Sequence, residues 1–171
     1  MTNKFLITGS TGFIGYHLIQ KLCKKKNNEV HGIDSINSYY TTKLKKIRLK
    51  YLKKNKNFFF QKINMINKKK LSLVIDKINP EYVIHLAGQP GVIYSFKNPQ
   101  SYKKNNLLAT KNLINIIKKK NIKKFIFGSS SSVYGEQKKY PISENSYLYP
   151  KNYYALTKKK CEDIINEDKK L

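Results

Sequence analysis

The sequence predicts an α/β protein built on a doubly wound parallel sheet with helices on both faces. Two observations carry this. Short apolar runs alternate with longer stretches of helical character along the whole chain. A glycine-rich segment, Thr8-Gly9-Ser10-Thr11-Gly12-Phe13-Ile14-Gly15, joins the first run to the first helical stretch. Alternation of this length calls for parallel strands joined by right-handed crossovers. With 171 residues the chain fits one domain and can bury a real core.

The strands expected in order are Lys4–Thr8, Glu29–Ile33, Phe58–Ile63, Tyr82–Leu86 and Lys124–Phe127. Their mostly apolar composition fits a sheet buried on both faces. The intervening helical stretches are Phe13–Lys25, Thr42–Lys53, Lys69–Ile78, Pro99–Lys120 and Tyr153–Glu167. Lysine runs at Lys24–Lys26 and Lys118–Lys120 fall at helix ends, where cations suit the dipole. Segment Tyr134–Lys151 is a long connection holding Gly135, Pro141 and Pro150; loops of that length inside a compact domain are often functional. No internal repeat or Pro/Ser-rich linker divides the chain.

Composition excludes several classes. No apolar run approaches the length of a membrane span. The N-terminus enters a strand directly, without a charged-then-apolar leader, so the expectation is a cytoplasmic protein. Cys23 and Cys161 form no C-x-x-C motif and read as reduced packing thiols. His17, His31 and His85 lack metal-like spacing, and no metal site is expected. The formal net charge is +25, yet only Arg48 among 35 basic residues is an arginine. Nucleic-acid readers favour Arg for bidentate contacts. Enrichment in Lys, Asn, Ile, Tyr and Phe follows A/T-rich codons, so the charge reads as a solvated surface without a specific nucleic-acid partner.

The glycine-rich segment has the context of a dinucleotide site. A strand precedes it, a helix follows, and the second strand leads into an acid, Asp34, nineteen residues after Gly15. Glycines let the backbone turn and approach a pyrophosphate that the helix N-terminus attracts. A carboxylate at Asp34 accepts hydrogen bonds from ribose hydroxyls and repels a 2′-phosphate, so NAD is expected over NADP. Asn64-Met65 ends the third strand at the height of an adenine, and Leu86-Ala87-Gly88 ends the fourth with small residues. Strand five runs into Ser129-Ser130-Ser131-Ser132, at the sheet end where doubly wound folds bind ligands. Tyr154 and Lys158 lie four residues apart, one helical turn, on one helix face. An ammonium beside a phenol favours the phenolate, which can take a proton from an alcohol.

These pieces together resemble the extended short-chain dehydrogenase/reductase family of sugar-nucleotide-modifying enzymes. They are Thr8–Gly15, Asp34, His85–Val92, Ser129–Gly135 and the pair Tyr154/Lys158. The resemblance spans essentially the whole chain. Gly32–Tyr40, Tyr94–Pro99 and the serine run are similar to the nucleoside-diphosphate-glucuronate 4-epimerases. It implies a Rossmann-type fold, NAD as cofactor and a UDP-sugar substrate. Tyr154 would be the acid/base. Lys158 would support the Tyr154 phenolate and hold the nicotinamide ribose. Ser130 would hydrogen-bond the sugar O4 and the Tyr154 hydroxyl, and Ser131 and Ser132 would line the sugar site. Gly9, Gly12, Phe13, Ile14, Gly15, Asp34, Asn64, Met65, Leu86, Ala87, Gly88 and Asn106 would bind or flank the dinucleotide. The implied chemistry inverts C4 through a 4-keto sugar, with transient hydride transfer to NAD. The related dehydratases carry acids at the positions of Ser131 and Ser132, which counts against dehydration here.

Family members often carry Arg where this chain has Ile93. They also continue past the Tyr/Lys helix into a smaller substrate domain. Residues 1–171 are accordingly expected to be one incomplete NAD-binding domain, truncated before that part and ending in a polar tail, Asn166–Lys170. The chain would then act as the catalytic half of an epimerase joined by a separately encoded second half, or persist as a non-catalytic NAD-binding fragment. The resemblance also implies a homodimer through helices Pro99–Lys120 and Tyr153–Glu167.

Overall fold

Residues Asn3–Thr8 form β1, the centre of a five-stranded parallel sheet. The structure is a computed structural model and describes residues 2–167; the end of the polar tail lies outside them. The other strands are β2 (Asn28–Asp34), β3 (Phe58–Lys62), β4 (Tyr82–His85) and β5 (Lys124–Phe127), in the spatial order β3-β2-β1-β4-β5. β1 pairs with β2 on one side and β4 on the other, so the strand order reverses at its carboxyl end. That reversal opens the crevice in which such sheets place ligands. The doubly wound expectation holds, and the five strands fall within two residues of their expected bounds.

Strand alternation builds two cores. Leu6 of β1 packs with Ile33, Val83, Leu71, Ile75 and Leu113 on the side of α3 (Lys68–Ile78) and α6 (Ala109–Ile117). Its neighbour Ile7 faces the other way, onto Ile19, Val30, Leu52, Phe58 and Ile84 beside α1 (Phe13–Cys23) and α2 (Thr42–Leu52). Successive residues of a strand point to opposite faces, so a covered sheet needs the near-continuous apolar run that β1 has.

Three sequence expectations need correction or refinement. The sheet is not buried on both faces throughout. Phe125 of β5 packs against the α3/α6 core, which turns Ile126 to the other face, where it is 45% exposed. The cluster on that face reaches only to Ile84 of β4. Second, the stretch Pro99–Lys120 is helical to Ile117, as expected, but not uniform. It begins as α5 (Pro99–Tyr102), widens into a π-helical turn over Lys103–Leu108, and continues as α6 to Ile117. Third, Val92–Lys97 forms a further short helix, α4, and Ser131–Tyr134 a 3-10 turn. Six and four residues are too short for helical periodicity to register in sequence. The last helix, α7, runs Tyr153–Asn166 and starts from Asn152, whose side chain accepts from the Ala155 N–H.

No helix among the described residues is long and apolar enough to cross a membrane. Cys23 and Cys161 are buried free thiols.

Candidate active site

The glycine segment turns because Gly9 adopts φ +70°, which a side chain would disfavour. Gly9 accepts the Gly12 N–H through its carbonyl, and α1 starts immediately beyond. The hydroxyls of Ser10 and Thr11 are buried and are the buried side-chain polar atoms that lack a hydrogen-bond partner among the described residues. Unsatisfied donors beside a helix N-terminus favour an anion. Asp34, ending β2, accepts from Thr11 N at 3.1 Å through one oxygen and from Ile36 N at 2.8 Å through the other. Each oxygen keeps acceptor capacity for the cavity.

That cavity measures about 650 Å³ and lies over the carboxyl ends of the strands. Gly9, Gly12, Phe13, Ile14, Gly15, Asp34, Asn64, Met65, Leu86, Ala87 and Gly88 line it, and so do Tyr154 and Lys158. The two ends of the sequence reading, separated by more than a hundred residues, meet in one hollow. A glycine cradle at a helix N-terminus and a carboxylate at the second strand fit a dinucleotide.

Lys158 is 7% exposed. Its Nζ donates to the Gly128 carbonyl at 2.6 Å and sits 4.4 Å from the Phe127 ring centre. Burial lowers its pKa from the usual lysine value, opposed by the nearby Cys161 and Glu162. Carbonyl and ring face both favour the ammonium that burial disfavours. The Tyr154 ring meets Tyr102 edge-on at 6.2 Å; Tyr102 is fully buried and donates to the Gly91 carbonyl at 2.6 Å.

Asn106 stands apart from the other expected cofactor residues. It does not line the cavity. It is 2% exposed and stands behind the lining, on the π-helical turn. Its Oδ1 accepts from Gln89 N at 2.6 Å, and its Nδ2 donates to Gln89 O at 3.2 Å and Thr157 Oγ1 at 3.1 Å. One amide thus fixes the β4 exit loop to the Tyr/Lys helix. Asn106→Leu should strand both backbone groups of Gln89 and destabilise the chain by about 3 kcal/mol; denaturant unfolding reads this. A loss below about 0.5 kcal/mol would mean that these hydrogen bonds are dispensable.

Ser130, Ser131 and Ser132 are not among the cavity-lining residues, whereas Ser129 is. Ser130 Oγ accepts from Ser132 N at 3.2 Å, capping the 3-10 turn, and Ser129 donates to the Glu162 carboxylate. Ile93 is 77% exposed and lines a shallower hollow of about 430 Å³ with Tyr39, Tyr94 and Lys97.

Sequence reasoning gave His85 no role, and the structure gives it one. It is fully buried, its Nδ1 2.6 Å from Thr8 Oγ1 and its Nε2 2.9 Å from Thr110 Oγ1. Thr8 Oγ1 also accepts the N–H groups of Leu86 and Ala87, at 3.1 and 3.0 Å. Its proton therefore points at Nδ1, which leaves the imidazole neutral with the proton on Nε2. Burial, with the Lys158 charge adding to it, pulls the pKa from 6.5 down to about 3. Between those values the unfolded chain binds a proton that the folded chain refuses. Stability should therefore fall as pH drops from 6.5 towards 3, by up to about 1.4 kcal/mol per unit, and be indifferent to this group above 6.5. Urea titrations at pH 7, 6 and 5 should show that slope, and His85→Gln should flatten it. Equal slopes in both proteins would remove His85 from the account.

The chain is similar to proteins of known class. The family model described as GDP-mannose 4,6-dehydratase matches residues 6–169. Protein CapI of Staphylococcus aureus is 44% identical over 93% of this chain and 47% of its own length. UDP-glucuronate 4-epimerase 1 of Arabidopsis thaliana is 38% identical over 94% of this chain and 38% of its own. The crystal structure of UDP-glucuronic acid 4-epimerase from Bacillus cereus, in complex with UDP-glucuronic acid and NAD, superposes with a TM-score of 0.90 at 36% identity. It covers 96% of this chain and 51% of that one. The chain spans about half the length, or less, of the curated relatives it matches. With the matched family model reaching across nearly all of its sequence, the chain belongs to the GDP-mannose 4,6-dehydratase family of extended short-chain dehydrogenases/reductases.

Proposed function

We propose that this chain is the NAD-binding and catalytic half of a sugar-nucleotide 4-epimerase acting on UDP-glucuronate. The observation that carries the reading is the single cavity in which Gly9–Gly15, Asp34, Tyr154 and Lys158 converge. Bound NAD would supply a reversible hydride acceptor. The glycine loop and the start of α1 hold its pyrophosphate, and Asp34 takes the adenine-side ribose hydroxyls. Lys158, already anchored on Gly128, turns its remaining donors to the second ribose and keeps positive charge beside Tyr154. Tyr154 takes the proton of the C4 hydroxyl as the ketone forms and returns it once the hydride comes back on the opposite face. Ser130 supplies a hydroxyl to the sugar O4, and Ser131 and Ser132 flank the sugar. Serines cannot serve as the acids that expel water, so inversion is preferred over the dehydration in the family's name.

Residues 1–171 work here as one dinucleotide-binding domain. The other half of such an enzyme grips the nucleotide of the sugar donor, and α5 to α7 pair two copies. The reaction takes place in the cytoplasm.

The test mixes the chain with the C-terminal half of a homologous UDP-glucuronate 4-epimerase, NAD and UDP-glucuronate. Chromatography should detect the C4-inverted product. NAD stabilisation of the chain without turnover in that mixture would overturn the catalytic reading and leave a non-catalytic NAD-binding fragment.

A further inference from the structure

We propose that α2 carries a latent 2′-phosphate site, formed by Arg48 and Lys45, which Asp34 alone keeps masked. The inference rests on the dinucleotide reading of the cavity and concerns its discrimination.

Arg48 is the one arginine in a chain whose other 34 cations are lysines. It lines the cavity, as do Asp34 and Ser35. Its Nη1 donates to Thr11 O at 3.3 Å, and its guanidinium lies 5.8 Å from the Phe13 ring centre. Asp34 meanwhile holds Thr11 N. The carboxylate and the guanidinium thus grip the two ends of one residue, which keeps them close together. Arg48 has five N–H donors, and one has an acceptor among the described residues. Lys45, one turn earlier on α2, also lines the cavity. Its Nζ is held on the rim by Asn37, through O at 3.2 Å and Oδ1 at 2.9 Å.

Two cations, Arg48 with its planar guanidinium and Lys45, with the neighbouring Ser35 on the same cavity lining, are groups that bind a phosphate monoester. A ribose with free hydroxyls needs none of them, because Asp34 accepts from both. What opposes a 2′-phosphate is the Asp34 charge and the space it takes. The architecture of an NADP site therefore stands around a residue that forbids its use.

Binding of NAD and NADP to the full chain, by calorimetry, tests this. The wild type should prefer NAD by at least about tenfold. Asp34→Ala should reverse the ratio to favour NADP by about tenfold, with a gain that shrinks as salt rises. Adding Arg48→Gln should cancel the reversal, and adding Arg48→Lys should restore part of it. Arg48→Gln can loosen Thr11 and weaken both dinucleotides equally, so the NADP/NAD ratio is the readout that a purely structural role would not move. Asp34→Asn, which keeps a backbone acceptor, carries the same test where Asp34→Ala fails to fold. NAD binding by the wild type, with an Asp34 variant whose ratio is untouched by Arg48→Gln, overturns this proposal alone. Absence of binding by either dinucleotide to any of these proteins overturns the cofactor reading and this proposal with it.

Discussion

Tyr154→Phe is expected to lower epimerisation in the complemented enzyme by about 10²–10⁴-fold while NAD still binds. The phenyl ring keeps the edge-on contact with Tyr102 and the packing of α7, so the loss is confined to one hydroxyl. Lys158→Met should lose comparable activity and, unlike Tyr154→Phe, NAD affinity as well. Its ammonium is tied to Gly128 O and seated on Phe127, so removal leaves a part-buried carbonyl without its donor on the cavity wall. The two variants separate proton transfer from ribose binding. Calorimetry on NAD and product formation from UDP-glucuronate read the two quantities independently. If Tyr154→Phe turned over as fast as the wild type, another group would have to move the C4 proton.

The fold and the glycine, acid and Tyr/Lys parts of the cavity lining were legible because they rest on local signals. The glycine spacing, the acid after β2 and the Tyr/Lys turn each specify a backbone geometry within a few residues. What escaped depends on partners distant in sequence. His85 looks like an unspecified polar residue until Thr8 and Thr110 arrive from two other elements to satisfy both ring nitrogens. Asn106 was legible as a site residue but not as one behind the wall, because the π-helical turn that carries it has no periodic signature. Arg48 was visible as an anomaly of composition, and only the packing of α2 against the glycine loop gives it a position. The exposed face of β5 was hidden for a different reason. Phe125-Ile126-Phe127 reads as a strand covered on both sides, and strand composition does not report how far the neighbouring helices reach.

Gly15→Ala is expected to cost NAD affinity about a hundredfold, or roughly 2.7 kcal/mol, although Gly15 contributes no side chain to the site. A Cβ there would lie 2.4 Å from Gly9 O and 3.1 Å from Gly9 C and Ser10 Cα. All three are backbone atoms of the turn that cradles the pyrophosphate, so no rotamer can yield. Either α1 withdraws from the turn or the turn moves into the space the cofactor needs. Overpacking of this kind also costs about 1–3 kcal/mol of stability. Gly12→Ala gives the internal contrast. Its Cβ would meet only Gly9 O, at 3.1 Å, which a shift of a few tenths of an ångström relieves. The expected order of NAD affinity is therefore wild type, Gly12→Ala, Gly15→Ala, with stability following the same order by urea denaturation. Were Gly15→Ala to bind NAD as tightly as Gly12→Ala, the close approach of α1 to the loop would be incidental. The spacing of the third glycine would then be a matter of helix packing rather than of the cofactor's cradle.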